Sequence, residues 1–467
     1  MNVQQSFARR GFLRGALATA VLAPMGGALA SCASGGTAPA GPTGQVSENN
    51  PFGVPDKSTL DAVIFKGGYG IDYVEFAGKL YEKNLPGSTA KISPSTAISA
   101  ELQPRFAGGN PPDLVDNSGA QSIGISTILA QLEDLQPVVD AKNLEGVPIK
   151  DTLYEGVLAP GTFDGKLVAI NYVLTLFGVW YSSSLFEANG WAPPKTWDEA
   201  FELGEKAKAK GKYLFLWGKE AASYYLELAL SSAIKEGGDE VRVALENLKE
   251  DSWKHPALTK VFEALDKHVK AGHFKPGGSG TAFTAAQAQW SNNQDALLYP
   301  SGSWIENEMK DQTKADFKMM GAPVPTVTTS PKMPYEALHS GGGEPFIVPS
   351  QAKNKAAGKE LLRVMLSKEA AANFAKTKLA PTVVKDTVPA DGFGSTALVS
   401  QTKMLEAAGK NVFNWQFLDL YGMNKDVLVV WNAFLDGKSN AAKLAEDMQK
   451  MSDKIRNDAS IKKVEIK

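Results

Sequence analysis

Leu60 to Phe65 form a short, mostly apolar run that Gly67 and Gly68 close off. A run of that length ending in glycine predicts a strand. The period then changes. Val74, Ala77, Leu80 and Tyr81 recur at helical spacing behind Asp72, which stands where an N-cap belongs. Strand, glycine turn and helix make the first half of a βαβ unit, whose loop lies at the carboxyl edge of a sheet, where ligands bind in open α/β folds. "AELQPRFAGGNPPDLV" adds a helix stopped by Gly108-Gly109, a Pro-Pro turn and a strand over Asp113 to Val115. Gly161, Asp164 and Gly165 place a hairpin turn in "GTFDGKLV". Thr196 and Glu199 read as a capping box opening a helix that Gly211 closes. A further helix is expected from about Leu258 to Ala271, ended by Gly272. The last begins near Ser439, with Leu444, Met448, Met451 and Ile455 along one face. Strands and helices alternating with glycine-rich turns, without an internal repeat, predict an α/β fold. The 467 residues exceed the roughly 250–300 at which one core stops growing, so two domains are expected.

The start of the chain has a different texture. "SFARRGFLRGALATAVLAP" sets Arg9 and Arg10 ahead of an apolar run free of acids, the layout of an export signal, and its paired arginines resemble the twin-arginine export motif. The run is shorter than the ~20 residues that span a bilayer, and Pro24, Gly26 and Gly27 interrupt it, which disfavours a retained transmembrane anchor. Cys32, the single cysteine, closes "LASC" and resembles the lipobox of bacterial lipoproteins, whose cysteine is lipidated and becomes the first residue. One thiol forms neither an intrachain disulfide nor a Cys-rich metal site. The alternative, a buried structural cysteine, lacks a core here to bury it. Residues 33–51 are rich in Gly, Ala, Pro and Ser and bury too little apolar surface to order themselves. The expected plan is a signal peptide over 1–31 with lipobox 29–32, a flexible tether over 32–56, and folded chain from 57 onward, held outside the cytoplasm on a membrane lipid anchor.

Charge narrows the function. Arg9, Arg10 and Arg14 are the only charged residues among the first 31, so their removal takes the balance from 49 basic against 51 acidic to 46 against 51. No basic patch or long charge run suits a nucleic acid partner. The four histidines, His255, His268, His273 and His339, show no metal-ligand spacing, and His268 and His273, five apart, fall off a common helix face. No phosphate-binding loop is present, so no cofactor and no metal are expected.

Five blocks in order, "FAGGNPPDLV", "GTFDGKLVAI", "GVWYSSSLFEANGWAPPKTWDEA", "YPSGSWIENEM" and "SGGGEPFIVPSQAKNKAAGKELLRVMLSKEAA", resemble the family 1 extracellular solute-binding proteins, the capture components of carbohydrate ABC importers. Within that family the signal peptide, tether and Gly-Gly-Gly-Glu-Pro-Phe block are most similar to lipoproteins that bind N-acetylglucosamine and N,N'-diacetylchitobiose. The resemblance implies a type II periplasmic-binding-protein fold: two α/β lobes, three chain crossings and a sugar cleft between. The crossings fall near 169–172, 338–342 and 380–384. Lobe one is then 57–168 plus 343–380, and lobe two 173–337 plus 385–467. The implied partners are a small sugar, the transmembrane permease subunits and the membrane itself, with the receptor a monomer.

A sugar ring has an apolar C–H face that suits an aromatic ring and a rim of hydroxyls that needs oriented donors and acceptors. Trp304 in "PSGSWIE" matches a family position where an aromatic supports the sugar; inter-strand packing is the alternative. Trp415 in "VFNWQF", with Asn414 and Gln416, lies in a late segment that approaches the cleft in relatives. Tyr224 and Tyr225 open a helix, one expected to face ligand and the other to pack. Asp116 and Asn117 stand at a sheet edge where relatives place sugar contacts, although no aromatic stands there in this chain. Tyr69 in "GGYG" is a loop candidate. Glu344, between the glycines and Pro345, either accepts hydrogen bonds from sugar or forms a hinge salt bridge. Trp217 and Trp290 complete the candidates, and Trp180, Trp197 and Trp431 read as core.

The resemblance implies a receptor and not an enzyme. The alternatives are a glycosidase, for which no segment marks a carboxylate pair, a receptor for a neutral maltose- or cellobiose-type sugar, and a surface sugar sensor without transport. The lack of Arg or Lys near the cleft loops agrees with a neutral ligand.

Overall fold

"INYVLTLFGVWYS", rich in β-branched, aromatic and apolar residues, forms the longest strand among the described residues, 13 residues buried along nearly its whole length. A strand this apolar needs cover on both faces, and the fold is arranged around it. The computed structural model describes residues 44–119, 121–154 and 156–466. Arg9, Arg10, the lipobox ending at Cys32 and the tether up to residue 43 lie outside the described residues.

In chain order the described strands are β1 Thr59–Phe65, β2 Thr89–Ser95, β3 Leu114–Asp116, β4 Thr162–Phe163, β5 Lys166–Leu167, β6 Ile170–Ser182, β7 Tyr213–Phe215, β8 Ala296–Gly302, β9 Met319–Ala322, β10 Leu338–Ile347 and β11 Val412–Phe413. The main path runs β2-β1-β3-β10-β6-β8-β7, with β9 added to β6 and β11 to β10. β1, β2 and β3 are parallel. β10 returns antiparallel to β3, with Phe346 opposite Asp116. It then pairs antiparallel with the first half of β6, from Ser340 opposite Leu176 to Phe346 opposite Ile170. The second half of β6 carries β8 and β9. On its other side the Tyr172–Leu174 stretch meets residues 381–383: Leu174 N–H donates to Pro381 O at 3.0 Å and Val383 N–H to Tyr172 O at 3.0 Å. Helices cover the sheet. One apolar group gathers Tyr73, Tyr81, Tyr172, Phe346 and Phe374 around β1, β3 and the start of β6. Another gathers Trp253, Phe262, Trp431 and Met448. Trp180, Trp290 and Trp431 are each 0 % exposed and Trp197 is 3 % exposed, so all four belong to the interior.

Local readings hold with two adjustments. Asp164 (φ 51°) and Gly165 (φ 77°) form the two-residue turn of the β4–β5 hairpin, both central residues left-handed as a twisted hairpin requires. Thr196 caps the helix Trp197–Ala209, its hydroxyl accepting from Glu199 N–H. Asp72, however, is the first helical residue and not the cap; Ile71 takes that place, and the Asp72 carboxylate pairs with Lys378. The tether also ends earlier than residue 56. Asn50 closes a turn on Val54 through bonds of 2.8 and 2.9 Å, Val54 is 2 % exposed, and Asn49 O accepts from Asn84 and Arg363. Residues 49–54, inside the stretch expected to be tether, therefore pack on the folded chain. Among the described residues no helix is long and apolar enough to cross a membrane.

His268 and His273 do meet. Gly272, left-handed at φ 70°, turns the chain back after the helix Pro256–Lys270, so the two Nδ1 atoms stand 2.9 Å apart and His273 Nε2 reaches Glu205 at 2.7 Å. His268 lies among Trp197, Phe201 and Phe215; burial, and then the neighbouring His273, bring its pKa down to about 3. The unfolded chain takes up a proton near pH 6.5 and the folded chain only near 3. This contribution to stability is full above 6.5 and falls by roughly 1.4 kcal/mol per pH unit between those limits. Urea denaturation at successive pH values should show a steeper loss between pH 6 and 4 in the wild type than in His268→Leu; parallel acid limbs would mean that His268 is not held neutral.

Candidate functional site

Gly302 ends β8, and a Cβ on it would fall inside the Trp304 indole, so the ring lies back over the end of the strand. On its other side Trp304 meets the loop after β1, where a Cβ on Gly68 would stand 3.2 Å from the indole. Phe177 is opposite Gly302 in the β6–β8 register, which brings its ring edge-on to Trp304 at 5.6 Å. Tyr224, opening the helix Tyr224–Gly237, closes on Trp304 at 5.7 Å. Beyond Phe177 the rings stack. His339, near the start of β10, lies parallel to Phe177 at 4.5 Å, and Trp415 lies on the other imidazole face at 3.5 Å. Tyr224, Trp304, Phe177, His339 and Trp415 therefore form one continuous wall of rings in tilted, edge-on and stacked geometries, the arrangements aromatic pairs favour.

Polar groups lock the wall. His339 Nε2 stands 3.2 Å from Asn414 Oδ1, and His339 Nδ1 stands 3.2 Å from Glu227 Oε2. Gly341 lets this layer close, since a Cβ there would come within 3.2 Å of Phe177. Gln416 N–H donates to Glu246 Oε1 at 3.0 Å; Glu246 is buried, and burial pushes its carboxyl up to about 7. A cavity of ≈ 10 Å³ among Phe177, Tyr224, Glu227 and Ser301 has about the room of one water. A surface hollow of ≈ 290 Å³ lined by Lys254, Thr259, Glu263 and Ala441 shares no residue with the wall.

Carboxyls gather beside the rings. Asp116, the last residue of β3, is 0 % exposed. It accepts from Tyr73 Oη at 3.4 Å and from Ser118 Oγ. The Glu344 carboxyl reaches both Asp116 and Ser118. Burial raises both acids, Asp116 well above its ordinary range with the Glu344 charge adding to the effect. Each of two buried carboxyls in contact opposes ionisation of the pair, in the same sense as their burial. Glu344 thus faces a second acid, and the salt-bridge alternative does not apply. Its backbone is left-handed, φ 53°, and its Oε2 is buried without a hydrogen-bond partner. Glu308, one turn past Trp304, accepts from Gln287 Nε2 at 2.7 Å and is pushed up to about 7 by burial. Tyr69 is 3 % exposed, packs on Phe374 at 5.2 Å, and carries a buried hydroxyl without a well-formed hydrogen bond.

Other expected residues have other tasks. Tyr225 is interior, its hydroxyl donating to Leu216 O at 2.7 Å, so Tyr224 is the tyrosine that joins the rings. The Asn117 amide is used up on the Ile123 backbone, with two bonds of 2.8 Å. Trp217 is 2 % exposed, packs over Gly278, and donates to Asn432 at 3.3 Å. Phe177, His339, Glu227 and Glu308 were missed. Glu308 had a signal, since it lies four residues after Trp304 and so on the same helix face. Among the described residues no group of three His, Cys, Asp or Glu side chains is placed to hold a metal ion.

Residues 39–372 match the family model "Bacterial extracellular solute-binding protein". The chain is 58 % identical over 465 residues, 99 % of its length and 98 % of the relative's, to the diacetylchitobiose binding protein NgcE of Streptomyces coelicolor (strain ATCC BAA-471 / A3(2) / M145). In fold it matches a chitin oligosaccharide binding protein with a TM-score of 0.69 at 18 % identity, covering 84 % of this chain and 98 % of that one. It matches the raffinose complex of the solute-binding protein RafE at 0.65 and 20 %, covering 85 % and 99 %. These likenesses show a mixed α/β fold of the solute-binding type. The family supplies binding components of transporters and not enzymes, which answers the glycosidase alternative. With a family model covering most of its length and a relative this similar from end to end, the chain belongs to the bacterial extracellular solute-binding proteins.

Proposed function

We propose that this chain captures N,N'-diacetylchitobiose, and N-acetylglucosamine as its unit, for delivery to a sugar ABC importer. The observation that carries this reading is the full-length likeness to a diacetylchitobiose-binding relative. The ring wall supports it. Trp304 and Tyr224 are half-buried and offer apolar faces to sugar C–H groups, while the half-buried Asn414 and Glu344 stand at the polar rim to meet hydroxyls and the N-acetyl N–H, with the buried Asp116 beside Glu344.

Residues 57–168 with 343–380 form one lobe and 173–337 with 385–467 the other. The adjacency of β6, β10 and residues 381–383 supports the three crossings. A ligand that touches both lobes favours the closed form by its differential affinity for it, and the closed receptor presents the sugar to the permease. An N-terminal signal of twin-arginine type and a lipid on Cys32 hold the receptor on the outer face of the cell membrane.

Calorimetric titration of the purified protein should show one-to-one binding of diacetylchitobiose, weaker binding of N-acetylglucosamine, and no heat with maltose or cellobiose. Trp304→Ala should weaken binding about 100-fold, equivalent to about 3 kcal/mol. Trp217→Phe should leave the affinity within about threefold, since that ring packs in the interior. Binding of maltose or cellobiose alone would keep the receptor and discard the amino sugar. A second prediction concerns the N-terminus. Cys32→Ala should move the protein from the membrane fraction to the medium, and Arg9→Lys with Arg10→Lys should hold it in the cytoplasm; unchanged fractionation would overturn the anchor and the export route respectively.

A further inference from the structure

Three carboxyls, Asp116, Glu344 and Glu308, flank the ring wall, and among the described residues none of them is paired with a lysine or arginine. The groups facing Asp116 are Tyr73, Ser118 and Glu344. Those facing Glu344 are Asp116, Ser118, Tyr69 and Tyr73, and those facing Glu308 are Gln287, Tyr69, Tyr224 and Tyr299. The cations nearby are engaged elsewhere: Lys378, beside Gly70, pairs with Asp72, and Lys310 donates to Asn307 at 3.5 Å. Every acid here is lifted above its ordinary range by burial, as expected where negative charge is desolvated without a counter-charge.

A second observation points the same way. Tyr69 and Thr175 are 3 % and 2 % exposed, their hydroxyls beside each other with Ser303 also at Tyr69, while Glu344 Oε2 is buried without a hydrogen-bond partner. Thr175 packs against Gly343, next to Glu344. An unpartnered buried polar group costs about 1–3 kcal/mol, and a non-glycine residue held left-handed costs on the order of 1–3 kcal/mol more. Such costs concentrate where a ligand completes the hydrogen bonding. What is missing here is a donor with positive charge. An ammonium brings donors, no acceptor and one positive charge, which suits unpaired carboxylate oxygens better than an acetamide does.

We propose that the same face also takes a chito-disaccharide carrying a free amine, its ammonium group received by Glu344 Oε2 beside the Tyr69 hydroxyl. The receptor then serves partly deacetylated chitin fragments as well as fully acetylated ones. This rests on the sugar-binding reading above.

The test is titration of wild type, Glu344→Gln and Asp116→Asn at pH 6.5 with diacetylchitobiose, with the mono-N-acetylated disaccharide and with the fully deacetylated one. Thermal melts check that each variant is folded. In the wild type at least one amine-bearing disaccharide should bind within threefold of diacetylchitobiose or tighter. Glu344→Gln keeps an acceptor oxygen and removes the charge, so it should weaken the amine-bearing sugar tenfold or more and the acetylated one less than threefold. Asp116→Asn keeps a hydrogen-bond donor beside Glu344 and leaves Glu344 the one carboxylate of the pair, so it should hold the amine-bearing sugar within threefold of the wild type. Lowering the pH moves the carboxyls toward their protonated forms and should weaken only the amine-bearing sugar. Amine-bearing sugars that bind the wild type more than tenfold worse than diacetylchitobiose would overturn the inference and leave the sugar reading standing, as would equal losses for both sugars in Glu344→Gln. If none of the disaccharides binds folded wild type, the sugar reading fails and this inference with it.

Discussion

The antiparallel pairing of β6 with β10 is the constraint on which the rest of the site depends. Its register, Ser340 opposite Leu176 through Phe346 opposite Ile170, decides which side chains can meet. It brings His339 level with Phe177, and the continuation of β6 onto β8 brings Phe177 level with Gly302 and so with Trp304. A slip of one residue would turn each of these side chains to the opposite face of the sheet. The three glycines of β10 protect that register. A Cβ on Gly342 would strike Asn171 and one on Gly343 would strike Thr175, while one on Gly341 would press on Phe177. The run "SGGGEP" is therefore a close-packed seam between strands, and its small residues serve approach and not looseness.

That seam explains what could be read from the sequence and what could not. Strand β1, the helices Asp72–Asn84 and Trp197–Ala209 and the β4–β5 turn are set by local periods and by residues such as Thr196 and Gly165, so they are legible within a dozen positions. Trp304 lies inside a family block, and Asp116 stands one residue past the block that ends at Val115. Phe177 was not legible. In "LTLFGVWY" it has the same apolar neighbours as any core residue, and only the long-range register shows that it is a half-buried link between two rings. His339 shows no metal-ligand spacing in the sequence, and its actual partners Glu227, Asn414 and Trp415 lie from 75 to 112 positions away along the chain.

The misplaced residues fail for a related reason. Asn117, Tyr225 and Trp217 are the right residue types at plausible loop or helix positions, and each is consumed by a hydrogen-bond partner that sequence does not display: the Ile123 backbone, Leu216 O and Asn432. Buried polar side chains must find partners. A polar or aromatic residue near a cleft is thus available to ligand only if the fold has left it unsatisfied. By that criterion Glu344 stands apart from Asn117, although both read as polar candidates in the sequence.

The acids beside the rings give the same distinction an energetic form. In the helix Lys355–Met365 the chain buries Glu360 together with Arg363, so the charge is matched inside the protein. At Asp116 and Glu344 it buries two acids against each other instead, at the end of β3 where the parallel strands open. Removing charge from water without a partner opposes folding, and the fold could have avoided it with an amide or a lysine. Keeping the pair unmatched lowers the stability of the empty site and leaves the matching interaction for whatever enters it. A site destabilised in this way binds by difference: a ligand that supplies the missing donors gains both its own contacts and the relief of the pair. That gain is available only when the ring wall and the carboxyl edge face the same molecule, which ties recognition to electrostatics as well as to packing.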